Sequence, residues 1–226
     1  MVDRGNLRTL LLVTGALAGH PTLESVLAGS MLVLAGGALH LWAKGCLAQD
    51  RALTTGGPYR FTRNPFYLAN LAIDAGLCVI ANRLALMLLF LALWAVVYGA
   101  TIRREERNLE GLFGDAYRRY AARVARFFPW RRPLPRAEAG AGFCFRNRNL
   151  VEGREYARLA RILAAPLWLV LPRALWEAAR RGFAGAEGPL AGAAALVSLL
   201  ILDTWFLRAA ERRKRAAAGG SAASAG

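Results

Sequence analysis

GGPYRFTRNPFYLANLAID, residues 56–74, and RREERNLEGLFGDAYRRYAARVARFFPW, residues 103–130, enclose an apolar stretch that is broken only at Asn82-Arg83. The pattern reads as a membrane hairpin. One span goes out from Phe66 to Ala81 and the next returns from Leu84 to Ile102. A folded hairpin brings its two ends together. The charged and hydroxyl side chains that flank it would therefore converge at one membrane surface, as in an active site.

Six apolar segments are visible along the chain. The first, Leu7 to Gly19, covers only about 20 Å at 1.5 Å per residue, short of a bilayer core of about 30 Å. The second runs from Leu23 to Ala43, and the hairpin supplies the third and fourth. The fifth, Ile162 to Trp176, is interrupted by Pro166 and Pro172, and the sixth runs from Pro189 to Leu207. Threading six spans places the basic loop 44–63, the very basic stretch 103–161 and the tail Arg212-Arg213-Lys214-Arg215 on one side. The excess of arginine makes that side cytoplasmic. If the first segment does not span, only the N-terminus changes side. The expected fold is all-α and polytopic, with five to six membrane segments arranged as hairpins and a cytoplasmic amphipathic helix. The expected divisions are a short apolar segment at 1–22, a membrane core at 23–130, a basic linker at 131–161, a second hairpin at 162–208 and a basic, then disordered, tail at 209–226.

Composition agrees with this reading. Of 226 residues, 56% are hydrophobic and the formal net charge is +15. In a soluble chain such charge would suggest nucleic acid. Here the basic residues alternate with apolar spans, which fits an anionic membrane surface better. No recognition helix, zinc-finger spacing or RNA-binding aromatic motif is present, so no nucleic-acid partner is expected. Cys46, Cys78 and Cys144 form no CxxC pair, and His20 and His40 lie apart, so neither a structural metal nor a disulfide framework is expected. The N-terminal stretch lacks a small-residue cleavage site before a polar domain, and is not read as a signal peptide.

Within the first cluster, Gly56-Gly57-Pro58 favours a turn with exposed backbone N–H groups, suited to a closely approaching ligand. Pro65 suits the first turn of a helix, with Asn64 as its N-cap. Arg60 and Arg63 can each grip a carboxylate or phosphate by two parallel hydrogen bonds. Tyr59 and Tyr67 can stack on a ring or face a cation. A basic anchor with interfacial tyrosines accounts for the same residues. In the second cluster, Glu105 and Glu106 are adjacent acids flanked by arginines, and a solvated helix end is the plain alternative. Beyond them, Leu109, Leu112, Phe113, Ala116, Tyr117, Tyr120 and Val124 recur at helical spacing and suggest an amphipathic surface helix. Gly114 would close one helical piece and Asp115 cap the next. Most of that stripe is structural, with Tyr117 and Tyr120 as candidates for more. Asp74 lies inside a span, where an acid is costly and is a functional candidate by default. It can instead pair with His40 or bond to a neighbouring helix. Asp203 in the last span invites the same question, and His40 reads as a packed histidine.

GGPYRFTRNPFYL, two spans, EE and LFGDAYRRYAARVARFFP together resemble the C-terminal core of the isoprenylcysteine carboxyl methyltransferase and phospholipid methyltransferase family, whose pattern is roughly GPYRxxRHPxY, two spans, EE, FGxxYxxYxxxVxRFxP. The resemblance covers about residues 30 to 130. It implies a membrane-embedded enzyme that uses S-adenosylmethionine, with the cofactor entering from the cytoplasm and a lipophilic acceptor from the bilayer. The localisation implied is an inner or plasma membrane. Carried over by position, Gly57, Tyr59, Asn64, Pro65, Tyr67 and Glu105 would hold the cofactor. Arg63 and Glu106 would act at the reacting centre, and Arg60 would meet the acceptor, as would Asp74, although an acid there departs from the family's usual wholly apolar span. Asn64 departs from the pattern, which usually has histidine there. Two alternatives stand beside this one: a reductase of the sterol-reductase type using NADPH, and a scaffold that has lost its chemistry.

Overall fold

The structure, a computed structural model, describes residues 4–47, 52–140, 142–145, 147, 150 and 155–181. Among them there are six helices and no strand: α1 Arg4–Ala18, α2 Leu23–Cys46, α3 Pro65–Ala81, α4 Leu84–Phe113, α5 Asp115–Arg123 and α6 Glu155–Arg181. Short 3-10 turns lie at Gly57–Arg60 and Arg136–Glu138. The all-helical expectation holds. The sixth apolar segment, 189–207, with Asp203, and the tail 209–226 lie outside the described residues.

Two helices, α2 and α4, are long and apolar enough to cross a membrane. At 1.5 Å per residue their 24 and 30 residues reach about 36 and 45 Å. The shorter apolar helices are α3 and most of α1. Large side chains such as Leu27, Met31, Leu34, Leu88, Leu89 and Val96 stand exposed on α2 and α4. So much outward apolar surface suits a hydrocarbon solvent. α6 was expected to be interrupted at its prolines, yet the helix runs through Pro166 and Pro172.

The hairpin forms because Asn82 takes up the left-handed conformation, φ 51° and ψ 47°, and ends α3. The returning helix α4 then buries one stripe, Phe90, Trp94, Tyr98, Ile102 and Glu106, at four-residue intervals. That spacing keeps all five on one helix face. The helix does not stop at Ile102 where the apolar run ends; it continues through the acids to Phe113, where Gly114 (φ 50°) turns the chain. The amphipathic stretch thus divides at Gly114, where the sequence placed the end of one helical piece. Leu109, Leu112 and Phe113 belong to α4, while Tyr117 and Tyr120 belong to α5. Gly114, rather than Asp115, occupies the N-cap of α5, because the positive φ that breaks the helix also frees the next one to begin.

The tightest helix pair is α2 with α3. A Cβ at Gly29 would lie 2.5 Å from the Gly76 carbonyl oxygen, and one at Gly36 would lie 2.8 Å from that of Ala69. Small residues let the two backbones touch, as is common between helices in membranes. Across the other side, α1 is tied to α3 by an ion pair in which Arg8 Nε stands 2.5 Å from Asp74 Oδ1. Asn70 Oδ1 accepts a longer bond, 3.4 Å, from the same guanidinium. Asp74 is therefore partnered from α1 and not by His40, which is buried against Phe66 with ring centroids 4.3 Å apart. Breaking a buried pair by removing one partner costs about 3–5 kcal/mol, whereas replacing both by apolar residues is often neutral. Arg8→Leu is expected to lower the thermal midpoint in detergent by several degrees, and Arg8→Leu with Asp74→Leu to recover most of it. A single variant as stable as the parent would show that the pair does not anchor α1.

Candidate active site

The chain between α2 and α3 folds over the basic end of the hairpin. Gly57 has φ +56°, and a Cβ there would meet Cys46 Sγ at 2.3 Å, so glycine lets the 3-10 turn lie against the end of α2. The turn delivers Tyr59, Arg63 and Asn64 towards α4. The segment after α5 returns beside them: Thr62 and Ala125 form an isolated parallel bridge, and the Arg63 N–H donates to the Ala125 carbonyl at 2.9 Å.

Asn64 sits at the N-cap position of α3, but its side chain makes no capping bond. Instead the Asn64 amide Nδ2 donates to Glu106 Oε1 at 3.3 Å and to the Arg126 carbonyl at 2.8 Å. The Glu106 carboxylate is buried and held from three sides. Arg126 Nε lies 2.9 Å from Oε2, Arg63 Nη2 3.4 Å from Oε1, and Asn64 completes the set. Glu105, one step round the helix, projects to the other side and accepts a bond of 2.5 Å from the Tyr67 hydroxyl. The hairpin's two ends thus meet through two separate contacts, one per acid.

A cavity of about 280 Å³ opens between these elements. Its polar wall comprises Tyr59, Arg63, Asn64, Tyr67 and Glu105, with Pro65 beside them; Tyr117 and Tyr120 close it from α5. Its apolar wall is formed by residues such as Leu53, Phe66, Leu109 and Phe113. Burial is the main reason that the phenol of Tyr59 ionises well above its ordinary range, reinforced by Glu105. Tyr117 is pushed up to about 12, chiefly by burial and then by Glu106, with Arg63 opposing. Tyr120 is raised as well, first by burial and then by Tyr59. All three phenols therefore stay protonated at neutral pH and act as donors, not as bases. The Tyr120 hydroxyl uses its proton on the Tyr59 carbonyl at 2.7 Å.

Three expected site residues are placed elsewhere. Arg60 Nε donates to the Leu134 carbonyl at 2.7 Å and so pins the segment after α5. Gly57 faces Cys46, and Asp74 is held by Arg8; none of the three lines the cavity. Glu106 faces a second, adjacent cleft rather than this cavity. Sequence reading missed Arg126, which braces Glu106 with its side chain and Asn64 with its carbonyl. It lies in VARFFP, at the end of the same family pattern, and only the return of the chain after α5 brings it to the acids.

Removing the Tyr67 hydroxyl would leave Glu105 without that donor. A hydrogen bond to a charged group contributes about 1.5–3 kcal/mol. Tyr67→Phe is expected to weaken ligand binding in the cavity by about 10- to 100-fold, read by titration calorimetry; unchanged affinity would take the pair out of binding.

Residues 25–116 match the family model described as phospholipid methyltransferase. That stretch, which holds α3, α4 and most of the cavity wall, is similar to the phospholipid methyltransferase family. Over 81 residues the chain is 36% identical to the cobalt-zinc-cadmium resistance protein CzcN of Cupriavidus metallidurans, covering 36% of this chain and 37% of that one. Over 77 residues it is 40% identical to methanethiol S-methyltransferase 1 of Bradyrhizobium diazoefficiens, covering 34% of this chain and 26% of that one. The matches thus span well under half the length of these curated relatives. No solved structure matches the chain.

Proposed function

We propose that the protein is an integral membrane methyltransferase that takes a methyl group from S-adenosylmethionine and passes it to a lipophilic or membrane-associated acceptor, with its site at the cytoplasmic face. The observation that carries this reading is the cavity itself. It joins aromatic faces and a carboxylate, Glu105, at one place, and both suit a positively charged sulfonium. The donor set fits as well. Tyr117 Oη and Arg63 Nε are buried without a hydrogen-bond partner, and both residues line the cavity. Tyr59, Asn64, Pro65, Tyr67 and Glu105 would hold the cofactor. When bound, the cofactor supplies an electrophilic methyl on sulfur; the S–CH3 bond breaks as the bond to the acceptor forms, and the electron pair stays on sulfur.

The chain's own residues then have three tasks. Arg63, braced by Glu106, orients the acceptor's reacting atom in line with the methyl group. Leu53, Phe66, Leu109 and Phe113 keep water from the methyl group. The phenols, held protonated, remove no proton, so a carboxylate, already anionic at neutral pH, suits the site best; a thiol would first have to lose its proton to water. The methyltransferase relative named for methanethiol is in keeping with a sulfur acceptor. A volume of about 280 Å³ falls just below the usual span of small-molecule sites, about 300–1,000 Å³. It leaves a long lipid tail outside, in the bilayer.

Titrating the full chain in detergent with S-adenosylmethionine and with NADPH tests the reading. Binding of S-adenosylmethionine, with transfer of a labelled methyl group to a thiol or carboxylate acceptor, is expected. Binding of NADPH alone would replace this reading with a reductase, and binding of neither with an inactive scaffold.

A further inference from the structure

Residues 131–161 read as a linker, yet Leu134 within them is only 7% exposed. Pro133 and Pro135 flank it. A residue before proline is driven to extended backbone, so ordering this stretch costs little. Both backbone groups of Leu134 go to one residue. Its N–H donates to the Arg60 carbonyl at 3.0 Å, and its carbonyl accepts from Arg60 Nε at 2.7 Å. Its side chain enters an apolar cluster with Tyr117, Tyr120, Leu53, Leu109 and Phe113. Those five line the aromatic cavity, whereas Leu134 does not. Leu134 therefore backs the cavity wall from outside.

The same segment is fastened twice more. Glu138 is paired with Arg123, the last residue of α5, and the Gly140 N–H donates to Thr55 Oγ1 at 2.9 Å. Thr55 and Arg60 belong to the stretch that gives the cavity Leu53, Thr54 and Tyr59, and Arg123 to the helix that gives it Tyr117 and Tyr120. The segment thus staples one wall to the other, alongside the direct bond from the Tyr120 hydroxyl to the Tyr59 carbonyl. It stays clear of the neighbouring arginine cleft, the one that Glu106 faces. A half-exposed ion pair such as Glu138 with Arg123 holds weakly, so the buried Leu134 is the anchor. We infer that residues 134–140 form a strap that positions the phenol wall of the cavity for the methyl donor, with Leu134 as the positioning residue and Arg60 as its hold. The inference rests on the methyl-donor reading of the cavity. Leu134 acts through the cluster it shares with Tyr117 and Tyr120. The strap lies beyond residue 116, where the family match ends, and so belongs to this chain's own sequence.

A strap that favours donor binding is itself favoured by the donor, and by the same factor. Two measurements on the full chain in detergent use this reciprocity. In titration calorimetry with S-adenosylmethionine, Leu134→Ala is expected to bind about ten-fold more weakly than the parent, with kcat at saturating donor within about two-fold. Leu134→Met, which keeps the volume, should stay close to the parent. Trypsin cleavage after Arg136, exposed on the strap, is followed by mass spectrometry. Saturating donor is expected to slow that cut about ten-fold in the parent, and not in Leu134→Ala, where cleavage tracks opening. Arg8→Leu serves as the control, because it lowers the thermal midpoint away from the cavity and should keep the parental donor affinity. Should Leu134→Ala fail to fold, Arg60→Met removes the hold through a side chain alone and carries the same comparisons. Unchanged affinity in the variant, a cut that donor leaves unchanged in the parent, or equal weakening in Arg8→Leu overturns the strap alone. A parent that binds no donor removes the methyl-donor reading and the strap with it.

Discussion

Glu106→Gln is expected to lower methyl transfer by the full chain at least about 100-fold. The carboxylate is the shared acceptor of Arg63, Arg126 and Asn64, and it is buried. Glutamine keeps the shape but removes the charge. Its oxygen can accept from one of these donors, while its amide nitrogen is turned towards another donor. Two guanidinium groups then face each other with no anion between them. Hydrogen bonds to charged groups are each worth about 1.5–3 kcal/mol, and the loss of two such bonds exceeds the 2.7 kcal/mol that corresponds to a hundredfold in rate. Because Glu106 faces the arginine cleft rather than the aromatic cavity, its effect passes through Arg63, which makes it a positioning residue. The signature is a fall in kcat larger than any change in donor affinity, with Glu106→Asp restoring part of the rate by restoring the charge. Unchanged turnover in the glutamine variant would remove this acid from the mechanism.

Asn64→Asp is expected to be the most damaging isosteric change in the chain. Asn64 supplies donors to two acceptors at once, the Glu106 carboxylate at 3.3 Å and the Arg126 carbonyl at 2.8 Å. A carboxylate in its place turns both attractions into repulsions in a buried setting. Activity should fall at least about 100-fold at neutral pH, because one charge-assisted and one neutral hydrogen bond are lost and a like-charge contact is gained. Part of it should return as the pH is lowered, since a proton shared by the two carboxyl groups restores a donor. Methyl transfer measured from pH 5 to 8, beside the parent, checks both points; a parallel pH profile would mean that the amide donors at Asn64 do not matter. The same geometry bears on the departure from the family pattern, which usually has histidine here. A neutral imidazole carries one N–H, whereas the asparagine amide carries two donors on one nitrogen, and both are in use.

Much of this site was legible in the residues. The hairpin follows from two apolar runs separated by Asn82-Arg83, and its polar ends meet as that topology requires. Glu106 could be placed by counting back along α4, because Phe90, Trp94, Tyr98 and Ile102 lie on the same face at four-residue steps. Tyr67 and Glu105 were both expected at the cofactor, and the structure puts them in contact. Other features resisted the sequence because they depend on distant partners. Nothing local to Asp74 says that Arg8, 66 residues earlier, will claim it. Nothing local to Arg60 says that its guanidinium will bind the Leu134 carbonyl instead of a ligand. Asn64 looked like a helix cap, since that is the usual use of asparagine before a proline-started helix; a buried carboxylate within reach is the stronger acceptor and takes the amide.

Hydrophobic periodicity and turn chemistry act between near neighbours, so the sequence alone determined most of the helices, the hairpin and the family that the core resembles. Which of two adjacent acids faces which cavity was decided only by the tertiary structure. Glu105 and Glu106 differ by one residue, or about 100° around a helix, and that rotation separates an aromatic cavity from an arginine cleft. The return of the chain after α5 then sets Arg126 against Glu106, completing a contact that exists only once all the elements have packed.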